Sequence, residues 1–156
     1  MSKNHILVTG PPGVGKTTLI KKVADKLRAK RTIQGFYTAE VRDEKGIRSG
    51  FDVISITDET VRKALARSNV PPAVKGPKVG KYTVMVQDFE SVALESLKNV
   101  LPKSILIIDE IGKIGLLSKF YWFMKLYLHT IEVYTVYITP HNNKSLSFCT
   151  CSLKII

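Results

Sequence analysis

A glycine-rich segment near the amino terminus has residue types and spacing that suit phosphate binding. The pattern G-x-x-x-x-G-K-[ST] is filled by Gly10, Pro11, Pro12, Gly13, Val14, Gly15, Lys16 and Thr17. Glycines let consecutive backbone N–H groups turn toward phosphate oxygens, and a helix that starts here adds the partial positive charge of its N-terminus. This segment, together with the next residue Thr18, is therefore predicted to bind the phosphates of a nucleoside triphosphate.

Two side chains of this segment have distinct predicted roles. Lys16 would contact the β- and γ-phosphates, and it is therefore a predicted catalytic residue. Thr17 would place its hydroxyl group on Mg²⁺, which is the predicted cofactor. The alternative, a turn that only connects two elements, does not explain why the match follows an apolar strand and precedes a helical pattern.

Two carboxylates, Asp109 and Glu110, directly follow the apolar run from Ile105 to Ile108. Alone they are weak evidence, but parallel strands end at the same edge of a sheet, where ligands bind. Asp109 would then hold Mg²⁺ directly or through water, and Glu110 would accept a proton from the attacking water. Lys113 could neutralise charge on the transferred phosphoryl group, and a solvated loop lysine fits equally well.

The hydrophobic pattern predicts the elements that position these residues. Ile6–Thr9 is typical of a buried parallel strand, and apolar residues three and four apart predict a helix directly after the glycine-rich turn. Further strands are predicted at 36–42, 51–56, 82–86, 104–110 and 133–139. Strands that alternate with helices indicate one α/β domain over residues 1–156, a three-layer sandwich on a mainly parallel sheet with helices on both faces.

Two more helices and one surface connection complete the predicted order. Asp88 is a suitable N-cap for a helix that Pro102 ends, and residues 116–130 suit a later helix. Residues 57–80 are predicted to be a surface connection, because they contain three prolines and two glycines among scattered lysines.

The composition fits a globular domain, since 44% of the 156 residues are apolar. The formal charge of +11 is not concentrated in any third of the chain, which disfavours nucleic acid as a partner. Cys149 and Cys151 have no histidine at ligand spacing, so a reducing, cytoplasmic location is expected. No secretory signal and no membrane helix are expected, because charges interrupt the apolar stretch 116–139. No pattern indicates self-association, and a monomer is the expectation.

Five blocks of sequence resemble the cancer-related nucleoside-triphosphatase family, which is related to the nucleoside-triphosphatases of archaea and thermophilic bacteria. They are Gly10–Thr18, Gly35–Arg42, Gly50–Val53, Val79–Tyr82 and Asp109–Lys113. The resemblance runs over residues 6–117. It implies a RecA-like P-loop fold, slow hydrolysis of ATP, GTP, CTP and UTP to diphosphate and phosphate, and a catalytic glutamate directly after the Walker B acid.

The resemblance assigns no role to three charged residues, Glu40, Arg42 and Arg48. Alternation along a strand would place Glu40 and Arg42 on one face, where a cross-strand ion pair and a catalytic contact are both consistent with the pattern. Residues 142–156 do not resemble the family's ending and are expected to be an atypical terminus. An uncovered apolar sheet surface and an unpaired edge would then lower stability and favour aggregation.

Two other functions remain open at this stage. A nucleotide or nucleoside kinase shares the phosphate-binding loop but needs an acceptor pocket and usually an arginine-bearing lid, for which Arg62 and Arg67 are candidates. A catalytically impaired nucleotide-binding module, basic enough to contact RNA, is the third reading.

Overall fold

The computed structural model describes residues 5–11, 13–109 and 134–140, which form an eight-stranded sheet with three helices. The strands are β1 (His5–Gly10), β2 (Ile33–Arg42), β3 (Arg48–Ser55), β4 (Arg62–Arg67), β5 (Lys78–Val79), β6 (Tyr82–Val84), β7 (Ile105–Asp109) and β8 (Tyr134–Pro140). The helices are α1 (Lys16–Leu27), α2 (Val86–Ala93) and α3 (Glu95–Lys98). The predicted helix at 116–130 and the atypical segment 142–156 lie outside the described residues.

The strand order is β1-β8-β7-β2-β3-β4-β6-β5. The pairings from β1 through β8 and β7 to β2 are parallel, and those from β2 to β5 are antiparallel. The expectation of a mainly parallel sheet was therefore wrong, and the sheet is mixed. Short connections between β2, β3 and β4 force antiparallel pairing, because a parallel return needs a long crossover.

The segment predicted as a surface connection contains a strand, β4, which pairs with both β3 and β6. Its apolar part is short and charged residues surround it, so local sequence gave no strand signal. Leu65 is 1% exposed and Ala66 is fully buried, and this burial in the sheet decides the strand. Residues 71–77, which contain the three prolines, are exposed as expected.

The helix after the glycine-rich turn is confirmed as α1, whereas the next predicted helix begins earlier and is divided. Asp88 is not the N-cap, because Met85 occupies that position and Asp88 lies in the first turn of α2. A carboxylate there still interacts favourably with the helix dipole. The break between α2 and α3 lies near Ser96, whose hydroxyl donates to the carbonyl of Val92 at 2.8 Å, a contact that commonly bends helices.

Two groups of buried side chains hold the sheet, and consecutive residues of β2 belong to different groups. Phe36 belongs to a cluster with residues of α2 and α3, and Tyr37 belongs to a cluster with Ile20 and Ala24 of α1. Successive side chains of a strand point to opposite faces. Helical residues therefore pack against both sides of this part of the sheet. No helix in the described ranges is long and apolar enough to cross a membrane.

Gly35 permits the close approach of β2 and β7. Its φ angle is 110°, and a Cβ atom built on it would lie 1.9 Å from the carbonyl oxygen of Ile107. Only glycine fits both the backbone conformation and the space. The carboxyl end of β7 consequently lies beside the middle of β2, next to the turn that follows β1.

Candidate active site

The segment predicted to bind phosphate lies between the end of β1 and the start of α1. Gly13 and Gly15 have φ angles of 80° and 94°, a left-handed conformation that glycine adopts without strain. Gly15 is the N-cap of α1, and the first turn of the helix has no acidic side chain. The first N–H groups of a helix have no partner within it, so an anion is the natural ligand at this position.

Lys16 folds back over the turn. Its ammonium group donates hydrogen bonds to the carbonyl oxygens of Gly10 at 2.9 Å and Pro11 at 3.0 Å. Both acceptors are neutral, whereas a phosphate oxygen carries negative charge and would add a direct Coulomb attraction to the ammonium group. A phosphate group in the turn would therefore compete well for the ammonium group. Pro12 is outside the described residues, and Pro11, Gly13, Val14 and Thr18 are exposed around the turn.

Asp109 ends β7 and is only 2% exposed. The hydroxyl group of Thr17 donates to its Oδ2 atom at 2.8 Å, although the two residues are 92 positions apart in the chain. The parallel strands produce this contact, with β8 inserted between β1 and β7. The structure therefore brings together Lys16, Thr17 and Asp109, three of the predicted site residues.

Thr38 is a site residue that sequence reasoning did not single out. Its backbone N–H and its hydroxyl group both donate to Oδ2 of Asp109, at 3.1 Å and 3.3 Å. The parallel register pairs Phe36 with Ile108, which places Thr38 just beyond the end of β7. The sequence offered one signal for Thr38, which is a small polar residue at the centre of the Gly35–Arg42 block. That block does not indicate that Asp109 is its partner.

The chemistry of these oxygen atoms suits magnesium. The hydroxyl oxygen of Thr17 and the carboxylate of Asp109 are hard ligands beside the phosphate-binding turn. Mg²⁺ usually takes one or two protein oxygens and completes its shell with substrate phosphates and water. No group of three or more His, Cys, Asp or Glu side chains that could hold a metal occurs in the described part of the chain.

Glu40 forms ion pairs with Arg42 and with Arg48 of the neighbouring strand. The cross-strand ion pair that was one of two predicted roles is thus present. The hydrogen bond from Arg48 is the main cause that keeps the pKa of the Glu40 carboxyl below its ordinary 4.5, the charges of both arginines add to it, and burial opposes it. The same hydrogen bond raises the pKa of Arg48. A carboxylate held in its ionised form is a weak proton acceptor, so Glu40 suits structural support better than base catalysis.

Arg62 and Arg67, the candidates for a kinase lid, are at the two ends of β4. Nε of Arg62 lies 2.5 Å from Oδ2 of the buried Asp52, and Arg67 binds the other oxygen of the same carboxylate. Arg67 also donates to the carbonyl oxygens of Phe51 at 2.6 Å and Ala66 at 3.0 Å. Both guanidinium groups bind within the sheet rather than in a loop over the phosphates. Glu110 and Lys113 lie outside the described residues, and their roles stay predictions.

A family model described as NTPase matches residues 5–148 of the chain. The chain is 42% identical over 125 residues to the cancer-related nucleoside-triphosphatase of Homo sapiens, an alignment of 75% of the chain and 64% of that relative. It is 45% identical over 115 residues to nucleoside-triphosphatase THEP1 of Thermotoga sp. (strain RQ2), or 73% of the chain and 61% of that relative. The chain thus spans a little under two thirds of the length of these curated relatives.

A solved structure shows the same likeness in three dimensions. It is the solution structure of a human cancer-related nucleoside triphosphatase, with a TM-score of 0.71 and 38% sequence identity. The match covers 88% of this chain and 76% of the solved chain. Sequence and fold therefore point to the same group of proteins.

Proposed function

The chain belongs to the NTPase family, and from that premise we propose that it is a magnesium-dependent nucleoside-triphosphatase. It would hydrolyse ATP, GTP, CTP and UTP to the diphosphate and phosphate. The observation that supports this best is the 2.8 Å hydrogen bond between Thr17 and Asp109, which joins the phosphate-binding turn to the carboxylate at the end of β7. We also propose the finer fold assignment, a three-layer RecA-like domain over residues 1–156, on the strength of helical packing against both faces of the sheet.

The phosphate-binding turn would hold the substrate before any bond breaks. Its backbone N–H groups and the N-terminus of α1 would bind the phosphate oxygens. Lys16 would exchange its two neutral carbonyl acceptors for the β- and γ-phosphates, whose negative charge attracts the ammonium group more strongly. None of these contacts reads the base, so the site chemistry is consistent with broad base specificity.

Thr17 and Asp109 are the residues that would hold Mg²⁺. The metal would neutralise negative charge on the β- and γ-phosphates. The contribution of this chain is to keep both oxygens at a fixed place. Asp109 does so from a buried strand end, and Thr17 does so from the first turn of α1.

Glu110 would act as the general base, a role supported by its position directly after Asp109. It would accept one proton from the attacking water as the water oxygen bonds to the γ-phosphorus atom. The bond from that phosphorus to the β–γ bridging oxygen would break in line, and the diphosphate would leave. Glu40 is a poorer candidate because its arginine partners lower its pKa.

Phosphate release is the experiment that tests this proposal. The purified chain is incubated with each of the four triphosphates and Mg²⁺, alongside the Lys16→Ala and Glu110→Gln variants. Lys22→Ala, which removes an exposed lysine from α1, is the matched control. We expect release from all four substrates by the wild type and by the control, and a loss of about 100-fold or more in the two site variants, since removal of a charge-stabilising group or of a general base typically costs that much.

The other outcomes separate the rival functions. If phosphate appears only on an added nucleoside or nucleotide, the chain is a kinase and not a hydrolase. Nucleotide binding without any release would indicate a catalytically impaired binding module. Full activity in Lys16→Ala would show that the glycine-rich turn is not the substrate site.

A further inference from the structure

The carboxylate of Asp109 is anchored from two separate elements. Thr17 reaches its Oδ2 atom from α1, whereas Thr38 reaches the same atom from β2 with two donors. The backbone donor of Thr38 is set by the course of the strand, and only the hydroxyl donor depends on the residue type. Thr38 is half-buried, so its side chain is not needed to fill the apolar core.

The two anchors differ in how firmly they are held. Thr38 is paired with Val53 of β3, and the residues of β2 just before it, up to Phe36, are paired with β7, so the sheet fixes the backbone at Thr38. A β-branched side chain has few χ1 rotamers, and this further restricts where the hydroxyl group lies. Thr17, in contrast, lies in the first turn of α1, and its oxygen would be shared with the metal. The anchor from β2 is therefore independent of the phosphate-binding turn.

We propose that Thr38 is a positioning residue for the metal site, whose hydroxyl group holds the Asp109 carboxylate in the orientation that binds the divalent cation. This inference rests on the proposed function, because it assigns the metal to Asp109. Thr38 need not touch the metal or the nucleotide. Its effect passes through Oδ2 of Asp109, so it should alter cation affinity and leave the phosphate-binding turn intact.

The test measures cation binding directly and does not depend on turnover. Binding of Mn²⁺ in the presence of ADP is followed by electron paramagnetic resonance for the full chain and its variants. Thr38→Val keeps the shape of the side chain and removes the hydroxyl donor, and Thr38→Ala removes it in a smaller side chain. Thr38→Ser restores the hydroxyl group. Thr83→Val, at a buried threonine of β6 away from the site, is the matched control.

We expect both hydroxyl-free variants to bind Mn²⁺ about tenfold more weakly, because hydrogen-bond partners of metal ligands typically contribute at least that much to affinity. Thr38→Ser and Thr83→Val should bind Mn²⁺ as the wild type does. Affinity for ADP in the presence of EDTA should be the same in all five proteins, which also shows that each variant is folded.

Two results would overturn this inference and leave the proposed function standing. Wild-type Mn²⁺ affinity in Thr38→Val and Thr38→Ala would show that the hydroxyl group does not position the carboxylate. An equal loss in Thr38→Ser or Thr83→Val would show a general structural effect. If the wild-type chain binds neither ADP nor Mn²⁺ with ADP, the proposed function fails and this inference fails with it.

Discussion

The Asp109 carboxylate is nearly buried, and burial of a charge is costly unless hydrogen bonds satisfy it. Donors from Thr17 and Thr38 converge on one of its oxygens and offset part of that cost. The same donors give the carboxylate a single orientation beside the phosphate-binding turn. The proposed metal ligand at the end of β7 would thereby be preorganised before the cation binds.

Replacement of Asp109 by asparagine should separate the charge of this side chain from its shape. Because Asn is neutral and nearly isosteric, we expect phosphate release to fall about 100-fold or more through loss of charge stabilisation, with little change in nucleotide affinity in EDTA. Release of phosphate is measured across a magnesium titration. Asp25→Asn, at an exposed position of α1, is the control, and normal turnover by Asp109→Asn would contradict the assignment of the metal.

At the scale of single elements, β2 connects the two halves of the sheet. Its residues 33–36 pair in parallel with β7 and lead to the candidate site, and its residues 36–42 pair with β3 in an antiparallel ladder. Gly35 permits the first pairing, and the ion pairs of Glu40 strengthen the second. Changes at these two positions should have effects of different size.

Gly35→Ala should be strongly destabilising, because its Cβ would overlap the carbonyl oxygen of Ile107. We expect a loss of more than about 3 kcal/mol in the free energy of unfolding, in the range seen for backbone strain combined with overpacking. Gly46→Ala is the matched control, since it has a φ angle of 74° but no atom within 4 Å of the added Cβ. Denaturant unfolding measures both, and an equal loss in the two variants would show that the φ angle alone explains the effect.

The Glu40 ion pairs should contribute stability that disappears in acid. The folded-state pKa of Glu40 lies below its ordinary 4.5, so the contribution is present above that value and is lost as the pH falls through the lower, folded-state pKa. Because the two arginines are substantially exposed, about 1 kcal/mol or less is expected at pH 7. Thermal unfolding of Glu40→Gln against wild type should show a small difference at pH 7 that shrinks as the pH is lowered below 4.5. A difference in thermal stability between the two proteins that grew as the pH fell would contradict this prediction.

At the scale of the whole molecule, the site joins residues from α1, β2 and β7, and a ligand there should stabilise the entire sheet. Two side chains that line one apolar cavity, Ile6 of β1 and Val23 of α1, also remain 51% and 39% exposed. Exposed apolar surface of this kind favours association when the chain is heated. Stability and solubility of the chain should therefore both respond to nucleotide.

Mg²⁺ with ADP should raise the unfolding temperature of the wild-type chain. A ligand at about 100 times its dissociation constant adds about 2.7 kcal/mol, which corresponds to roughly 5–10 °C for a domain of this size. Differential scanning fluorimetry with and without the ligand measures the shift. Lys16→Ala should abolish most of it, and a shift of equal size in that variant would place the nucleotide elsewhere.

The sequence alone determined the local chemistry of this protein. The glycine-rich turn, the helix that starts at Lys16 and the carboxylate after the Ile105–Ile108 run were all predicted, and the structure places Thr17 beside Asp109. Such features follow from short-range rules, because turns, helix starts and buried strands depend on residues only a few positions apart. The resemblance over residues 6–117 is in accord with the match to the NTPase family.

Only the tertiary structure decided which distant elements meet. β8 lies between β1 and β7, and β4 forms a strand because its apolar residues are buried in the sheet. Thr38 contacts Asp109 although the two residues are 71 positions apart in the sequence. The ion pairs of Arg62 and Arg67 with Asp52 likewise place within the sheet two arginines that the alternative kinase function would have needed in a lid. Strand order and side-chain pairing depend on contacts between segments far apart in the chain, and no periodicity within one segment encodes its partner.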